Sequence, residues 1–175
     1  RIVNELIKGP NPSINDYSMI DTFNGKLFLT VEHGTTGFEP SLYDPLLDTF
    51  ILLKDLNFGN QGSNIIGSIG NANKFYFKSY NGIGTDLYVV YKNFNIAYKV
   101  TSLSNKNYYY LGNTDWTISP NYLYFSGFSA PYGNELYKTE GSSLTTQLIL
   151  DIYPGTTSSE PNSFYYNSKQ NAIYF

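Results

Sequence analysis

Short runs of apolar and aromatic residues alternate with turn-forming residues along the chain. One run recurs at a near-constant spacing, and its four copies begin 48, 48 and 50 residues apart: Lys26–Leu29, Lys74–Phe77, Tyr122–Phe125 and Ala172–Phe175. An Asn or Asn-Gly turn signal precedes each copy. No window keeps the 3.6-residue periodicity of an amphipathic helix over three turns. The pattern therefore predicts repeated β-strands.

Three further elements keep the same phase. The second element contains a Leu-Tyr pair, with copies at Ser41–Tyr43, Asp86–Tyr88 and Glu135–Tyr137. The third is an apolar strand whose copies are Ile51–Gly59, a degenerate Tyr98–Leu103 and Leu148–Gly155, with an earlier copy at Ile2–Gly9. A fourth short stretch completes each unit, at 14–20, 64–69, 108–118 and 163–166. Several elements in one phase argue against chance similarity among tyrosine-rich strands.

Four short strands in each unit of about 48 residues, joined by turn residues, are typical of a β-propeller blade. We expect one all-β array of four-stranded antiparallel blades: partial blade 1–12, blades 13–59, 60–105 and 106–157, and partial blade 158–175. Propellers usually close with four to eight blades, so two interpretations stay open. The chain is part of a larger propeller, which we favour, or Arg1–Ile7 and Ala172–Phe175 share a closing blade.

The amino-acid composition agrees with an all-β fold and argues against one class of partner, the nucleic acids. The chain has 18 Tyr, 12 Phe and 15 Gly, and only 14% of its residues are charged, against about 25% in typical soluble domains. Tyr and Phe suit half-buried pleated surfaces, and Gly suits turns. The formal net charge is −3 and the basic residues are scattered, which argues against a nucleic-acid partner.

The sequence contains no cysteine, which excludes a disulfide framework and thiolate metal sites. No apolar run approaches the ~18 residues of a membrane-spanning helix, so we expect no transmembrane segment. The chain begins at Arg1 without a Met or a signal-like segment. We therefore expect a processed product or an interior piece of a longer protein.

Candidate catalytic groups are few. His33 is the only histidine, and only Asp44 or Asp48 could orient it; no nucleophile-elbow motif occurs. Carboxylates such as Asp55 and Glu135 fall at repeat positions, which indicates turn and capping roles because a catalytic pair need occur only once. Calcium loops of the Asp-x-Asp-x-Asp type are absent. We expect no enzyme activity and no cofactor.

One group of residues indicates carbohydrate binding. Tyr108, Tyr109, Tyr110 and Trp116 form an aromatic cluster in the least regular unit, and Asp115 is a polar neighbour. Flat rings beside polar groups make a platform for a sugar ring. The competing interpretation is that the rings pack between blades and Trp116 fills a gap. Exposure of Trp116 would favour sugar binding, whereas its burial would favour packing.

The most distinctive motif is Glu135–Ser142, followed by the apolar strand Leu148–Gly155. This unit resembles the ELWxxDGT-type repeat of bacterial surface proteins, which is also described as hyalin-like. Tyr137, Glu140 and Ser142 stand where the family has Trp, Asp and Thr. In the family, a hydrophobic strand ending in Lys-Asp-Ile-x-Pro-Gly follows the motif.

The other units carry less of the resemblance. The first matches in Lys54–Leu56 and Gly59, and the second keeps little beyond Asp86–Tyr88. The resemblance implies a propeller-like array in a large exported protein of Bacteroidetes-type bacteria, outside the cell or at its surface. Such proteins resemble adhesins, surface scaffolds or secretion cargo, with surface or secretion-system proteins as partners. The family's motif residues are structural, so no active site is implied.

Two main functional hypotheses follow from the sequence, and a third, an enzyme whose site lies on blades outside this chain, has less support. The first is a non-enzymatic, exported cell-surface module for adhesion, scaffolding or protein assembly. The alternative is a carbohydrate-binding, lectin-like module of a larger secreted or outer-membrane complex. A propeller fold by itself names no function, so the choice depends on the surfaces that the fold presents.

Overall fold

The computed structural model describes residues 20–80, 82–104 and 115–175, and within them the chain is all-β. Sheet 1 contains β1 (Asp21–Phe23), β2 (Lys26–Glu32), β3 (Phe38–Asp44) and β4 (Thr49–Leu52). Sheet 2 contains β5 (Asn64–Gly70), β6 (Lys74–Tyr80), β7 (Thr85–Tyr91) and β8 (Tyr98–Ser104). Sheet 3 contains β9 (Trp116–Ile118), β10 (Leu123–Ser129), β11 (Gly133–Thr139) and β12 (Gln147–Leu150). A separate hairpin pairs β13 (Tyr165–Asn167) with β14 (Ala172–Tyr174).

The strands of each sheet follow one another in chain order and are antiparallel, so the prediction of four-stranded antiparallel units is confirmed. In sheet 1, β1 begins at Asp21, and the predicted stretch 14–20 lies almost wholly outside the described residues. The predicted partial blade 1–12 lies outside the described residues. In the described part of the chain, the one helical element is a 3-10 turn at Ser143–Thr145, and no helix there could cross a membrane.

The β1–β2 connection shows how turn residues set the register of a sheet. Phe23 pairs with Lys26, which leaves only Asn24 and Gly25 in the loop. These two residues have φ angles of 51° and 75°, as a type I′ turn requires. Asn and Gly adopt positive φ at low cost. The dipeptide therefore fixes which residues of β2 point to each face of sheet 1.

Sheet 2 is packed between sheets 1 and 3. Successive side chains of β6 point to opposite faces, so Phe75 and Phe77 pack with sheet 1 while Tyr76 packs with sheet 3. Every residue from Phe75 to Ser79 is buried. This two-sided burial explains why the middle strands read as near-continuous apolar and aromatic runs.

The core between sheets 1 and 2 is largely aromatic. The ring centroid of Phe28 lies 4.7 Å from that of Phe75 and 5.1 Å from that of Phe77. Phe23 extends the row, with its centroid 5.4 Å from Phe75. Burying one such side chain contributes about 1.5–3 kcal/mol. The second core lies between sheets 2 and 3 and contains Tyr76, Leu87, Val89, Val100, Trp116, Leu123 and Phe125.

Equivalent residues face the same way in successive sheets. Phe28 packs forward against sheet 2, and Tyr76, its counterpart 48 residues later, packs forward against sheet 3. In the opposite sense, Phe77 packs back against sheet 1, and its counterpart Phe125 packs back against sheet 2. The first strands also lie together, since β5 contacts β9 and β9 contacts β13. The chain therefore advances by a repeated step of constant sense.

Strand pairing corrects one alignment made from the sequence. In each sheet, an acidic residue near the start of the third strand pairs with a residue of the second strand, and these second-strand partners are 48 residues apart along the chain. The pairs are Val31–Glu39, Ser79–Asp86 and Gly127–Glu135. Glu39 is therefore the counterpart of Asp86 and Glu135, whereas the sequence comparison placed Ser41 there. A shift of two residues keeps every side chain on its face, so the hydrophobic pattern cannot reveal it.

Glu39 and Glu135 each hold the segment that follows the fourth strand of their sheet. Both side chains are completely buried. The Glu39 carboxylate accepts a hydrogen bond from the N–H of Leu56 at 3.0 Å. The Glu135 carboxylate accepts one from the N–H of Ile152 at 2.8 Å and one from the hydroxyl of Ser159 at 2.7 Å. Glu135 thus has the kind of capping role that its repeat position indicated.

The environment of Glu39 shows the balance that such a buried acid needs. Burial raises the pKa of its carboxyl group, while hydrogen bonds from the N–H groups of Leu56 and Asn57 act in the opposite direction. Hydrogen bonds to the ionised form are what make a buried carboxylate tolerable. The backbone after β4 is therefore fixed by the same contacts that stabilise the charge.

Replacing Glu135 with Gln is expected to lower the free energy of unfolding by about 1–3 kcal/mol, because the amide keeps one acceptor and turns an NH₂ group toward N–H and O–H donors. Glu39→Gln is expected to give a similar loss. The matched control is Glu140→Gln, since the Glu140 side chain is exposed. Urea unfolding measures all three variants, and equal midpoints for Glu135→Gln and Glu140→Gln would contradict the role.

Candidate functional site

Two residues of the predicted carbohydrate platform lie inside the molecule. Trp116 begins β9 and is 2% exposed in the core between sheets 2 and 3. Asp115 precedes it and is also buried. The burial of Trp116 favours the packing interpretation for this residue. Tyr108, Tyr109 and Tyr110 lie outside the described residues, so their part in sugar binding stays a prediction.

A buried lysine binds both of these residues. Lys78 on β6 is 2% exposed, and its ammonium group forms an ion pair with the carboxylate of Asp115. The same nitrogen lies 4.3 Å from the ring centroid of Trp116, in cation–π geometry. The carbonyl oxygen of Asp115 accepts a hydrogen bond from the N–H of Ser126 at 2.9 Å. These contacts connect sheet 2 to sheet 3.

Burial has opposite effects on the two members of this ion pair. It lowers the pKa of Lys78 and raises the pKa of Asp115, and in each case the charge of the partner opposes the shift. Lys78 was not among the residues predicted from the sequence. The available signal was a lysine directly after an aromatic run, because a lysine in a covered strand needs an acidic partner. The pair has a structural role, since little of either side chain reaches solvent.

His33 binds a serine instead of an aspartate. Its Nε2 lies 2.7 Å from Oγ of Ser41, and burial lowers the pKa of the imidazole. Ser41 has no exposed surface, so a substrate has no access to its hydroxyl group. The two acids considered as orienting groups bind elsewhere, Asp44 to Lys26 at 2.6 Å and Asp48 to the Tyr43 hydroxyl at 2.7 Å. The arrangement is therefore not a catalytic triad.

Two polar grooves open beside the turns between first and second strands. The first groove lies between sheets 1 and 2, has a volume of about 450 Å³, and is lined by residues that include Asp21, Phe23, Asn24, Asn71, Phe75 and Lys92. The second groove lies between sheets 2 and 3, has a volume of about 410 Å³, and is lined by residues that include Asn71, Asn73, Lys74, Asn121, Tyr122 and Glu140. Both volumes fall in the range of small-molecule sites.

The two grooves are successive copies of one feature. Each is bordered by the first turns of two neighbouring sheets and by one residue that follows a third strand. That last residue is Lys92 in the first groove and Glu140 in the second, and these positions are 48 residues apart. Asn71, in the β5–β6 turn, borders both grooves. The grooves were not predicted from the sequence, because they form only where the turns of adjacent units come together.

Hydrogen bonds join the two walls of the first groove. The side-chain amide of Asn24 donates to the carbonyl oxygen of Lys92 at 3.0 Å. The Ser68 hydroxyl donates to Oδ2 of Asp21 at 2.7 Å, which connects β5 to β1. These bonds hold the turns of sheets 1 and 2 in a fixed relation. The groove is therefore formed before any ligand arrives.

The second groove is held together in a similar way. The ammonium group of Lys74 donates a hydrogen bond to the carbonyl oxygen of Glu140, across the junction of sheets 2 and 3. The side-chain amide of Asn71 donates to the carbonyl oxygen of Ser119 at 3.5 Å. In the described part of the chain, the side chains of Asn121 and Glu140 make no hydrogen bond of their own, and both residues are exposed. Their polar atoms are available to a ligand.

The described residues contain no group of three His, Asp or Glu side chains that could hold a metal ion. Asp55 and Asp151, which occupy equivalent positions 96 residues apart, each bury one carboxylate oxygen without a hydrogen-bond partner there. Calcium sites in proteins use six to eight oxygen ligands. The two buried oxygens by themselves do not assign a metal site.

Replacing Lys78 with Met leaves Asp115 buried without a counter-charge, and we expect the free energy of unfolding to fall by about 3–5 kcal/mol. The double variant Lys78→Met/Asp115→Val removes both charges and is expected to recover most of that loss. Urea unfolding followed by the fluorescence of Trp116, the only tryptophan, measures both variants.

A matched control for this experiment is Lys138→Met. The Lys138 ammonium group lies 4.8 Å from the ring centroid of Tyr122, but the side chain is only partly buried. Its loss is expected to cost no more than about 1 kcal/mol. A double variant as unstable as Lys78→Met alone would show that the paired charges do not explain the cost.

Comparison of the chain with models of known families, with curated proteins and with solved structures gave no match. The resemblance to ELWxxDGT-type repeats therefore stays a hypothesis that depends on Glu135–Ser142, on Leu148–Gly155 and on the common repeat length. Within the described residues, the two polar grooves are candidate binding sites.

Proposed function

We propose that the chain is a stretch of β-propeller blades that serves as a non-enzymatic binding and scaffolding module of an exported cell-surface protein. The observation that carries the proposal is the constant step from sheet to sheet. Each four-stranded meander packs one face on the next, with equivalent side chains such as Phe28 and Tyr76 facing the same way. Radial repetition of such meanders builds a propeller.

The use of buried charge supports a structural role. Lys78 and Asp115 join two sheets, and Glu39 and Glu135 hold backbone segments. Active sites instead place perturbed ionisable groups in a cleft where a substrate can reach them. In the described part of this chain, Glu39, Lys78 and Asp115, whose pKa values are shifted by burial, lie inside the packed structure and not in an open cleft.

The loops that follow the third strands support contact with partners. They expose apolar side chains at related places in the three sheets, and Leu46, Phe94 and Leu144 are 91%, 53% and 96% exposed. Apolar side chains that the three described sheets leave in water at related places offer contacts to another protein. This agrees with what the ELWxxDGT resemblance implies about adhesion and assembly. The polar grooves favour the alternative function, a carbohydrate-binding module of a larger secreted or outer-membrane complex.

Spin-label distances test the propeller. Three variants each carry Cys at two of the positions Leu46, Phe94 and Leu144. Because the chain has no cysteine of its own, the spin label attaches only to the introduced residues. The distances 46–94 and 94–144 are expected to be similar. The distance 46–144 is expected to be about 1.4–1.85 times that value, as in a ring of four to eight blades. A value close to twice the neighbour distance would indicate a straight stack and overturn the propeller.

Surface labelling tests the location. Antibodies that bind only the folded chain are expected to label intact cells of the source organism, or to detect the protein in the culture medium. A cytoplasmic protein of the same cells is the control, since it must stay unlabelled until the cells are lysed. Detection of the chain only after lysis would contradict a role at the cell surface.

A further inference from the structure

We propose that the first and second grooves are repeated binding sites for neutral saccharides, with one site at each junction between sheets. The inference rests on the proposed role as a binding module and names the ligand class of that role. It does not involve Trp116 of the predicted aromatic platform, because that residue is buried between sheets 2 and 3.

Each groove is a preformed concavity in a rigid frame. The first is closed by the bond from Asn24 to Lys92 and the second by the bond from Lys74 to Glu140. Volumes of about 450 and 410 Å³ lie in the lower half of the range for small-molecule sites. A rigid frame avoids the cost of ordering loops on binding, which matters most for a small and weakly held ligand.

The charges of each groove cancel. Asp21 and Lys92 give the first groove one acid and one base, and Lys74 and Glu140 do the same for the second. A site for phosphate or a carboxylate would carry an excess of positive charge. Balanced charge favours a neutral ligand that both donates and accepts hydrogen bonds.

The polar atoms match hydroxyl groups. A hydroxyl group donates one hydrogen bond and accepts two. A carboxylate can accept the hydrogen bond that the hydroxyl donates, and an ammonium or amide group can donate to the hydroxyl oxygen. Within the described residues, the side chains of Lys92, Asn121 and Glu140 are exposed and form no hydrogen bond or ion pair. Asp21 uses each carboxylate oxygen once, and each oxygen accepts up to two hydrogen bonds. Each groove therefore keeps both donors and acceptors for a ligand.

The second groove also presents ring surface, because the partly exposed Tyr122 lines it. Phe23 and Phe75 border the first groove, but both rings are buried and offer almost no surface to a ligand. Ring surface beside polar groups suits the apolar C–H face of a sugar.

The acid and the base occupy opposite positions in the two grooves. In the first groove the acid, Asp21, lies beside a first turn and the base, Lys92, follows a third strand. In the second groove the base, Lys74, lies beside a first turn and the acid, Glu140, follows a third strand. The two sites therefore prefer different sugars or orientations.

The two sites would act together on a long ligand. Their shared border at Asn71 keeps the grooves adjacent. Once a polysaccharide occupies one groove, its next accessible segment meets the other at a high effective concentration. Such multivalent binding makes two weak sites useful at a cell surface.

The test uses the methyl glycosides of glucose, galactose, mannose and N-acetylglucosamine as probes, with backbone amide NMR of the folded chain as the readout. At least one glycoside is expected to shift resonances at 21–24 and 70–73, or at 70–73 and 120–122. Lys92→Ala is expected to weaken binding at the first groove about tenfold while leaving the second unchanged, and Glu140→Ala is expected to do the reverse. Lys169→Ala is the control, since Lys169 is exposed and lies outside both grooves.

Three outcomes would overturn the inference. They are the absence of any shift with all four glycosides, shifts confined to residues outside the two grooves, and a stronger response of the grooves to inorganic phosphate. None of these would change the spin-label distances or the surface labelling, so the proposed function would stand. Conversely, a chain that binds sugar but is found only inside the cell would support the saccharide sites and contradict the proposed role at the cell surface.

Discussion

Strand β6 is covered on both faces by other sheets, and much of the structure follows from that packing. Phe75 and Phe77 need sheet 1, whereas Tyr76 needs sheet 3. Because a strand alternates its side chains between two faces, a strand that is apolar on both requires two neighbours. Sheet 2 therefore reaches its full stability only between its two neighbouring sheets, and stability is shared between units and interfaces in this way in repeat proteins.

The buried charges constrain how the sheets pack on one another. Lys78 faces sheet 3 from the same strand as Tyr76, and only an arrangement that brings Asp115 to its ammonium group avoids a buried unpaired charge. Apolar contacts tolerate small slips between sheets more easily than an ion pair does. Glu39 and Glu135 constrain the chain within a sheet instead, because each binds the backbone that leaves the fourth strand. Packing thus holds the sheets together, and polar contacts fix their positions.

The sequence predicts the strands well because the turns and the apolar runs recur together. The Asn24-Gly25 turn and the run Lys74–Phe77 are local signals, and both lie where the pattern placed them. The equivalence of Glu39 with Asp86 and Glu135 could not be predicted from the sequence, since a two-residue shift in the alignment leaves the alternation of side chains between the two faces unchanged. The burial of Trp116 depends on the neighbouring sheet, and so do the grooves. Such features come from contacts between units, which a pattern read along one unit does not contain.

The shared border at Asn71 has an evolutionary consequence. Each groove is assembled from the turns of two adjacent repeats, and one turn serves two grooves. Inserting or duplicating a single repeat would replace one junction with two and leave the more distant junctions as they were. A substitution in one turn would instead alter two neighbouring grooves at once. In an array built in this way, recombining whole repeats would vary the grooves without any change in the packed interior.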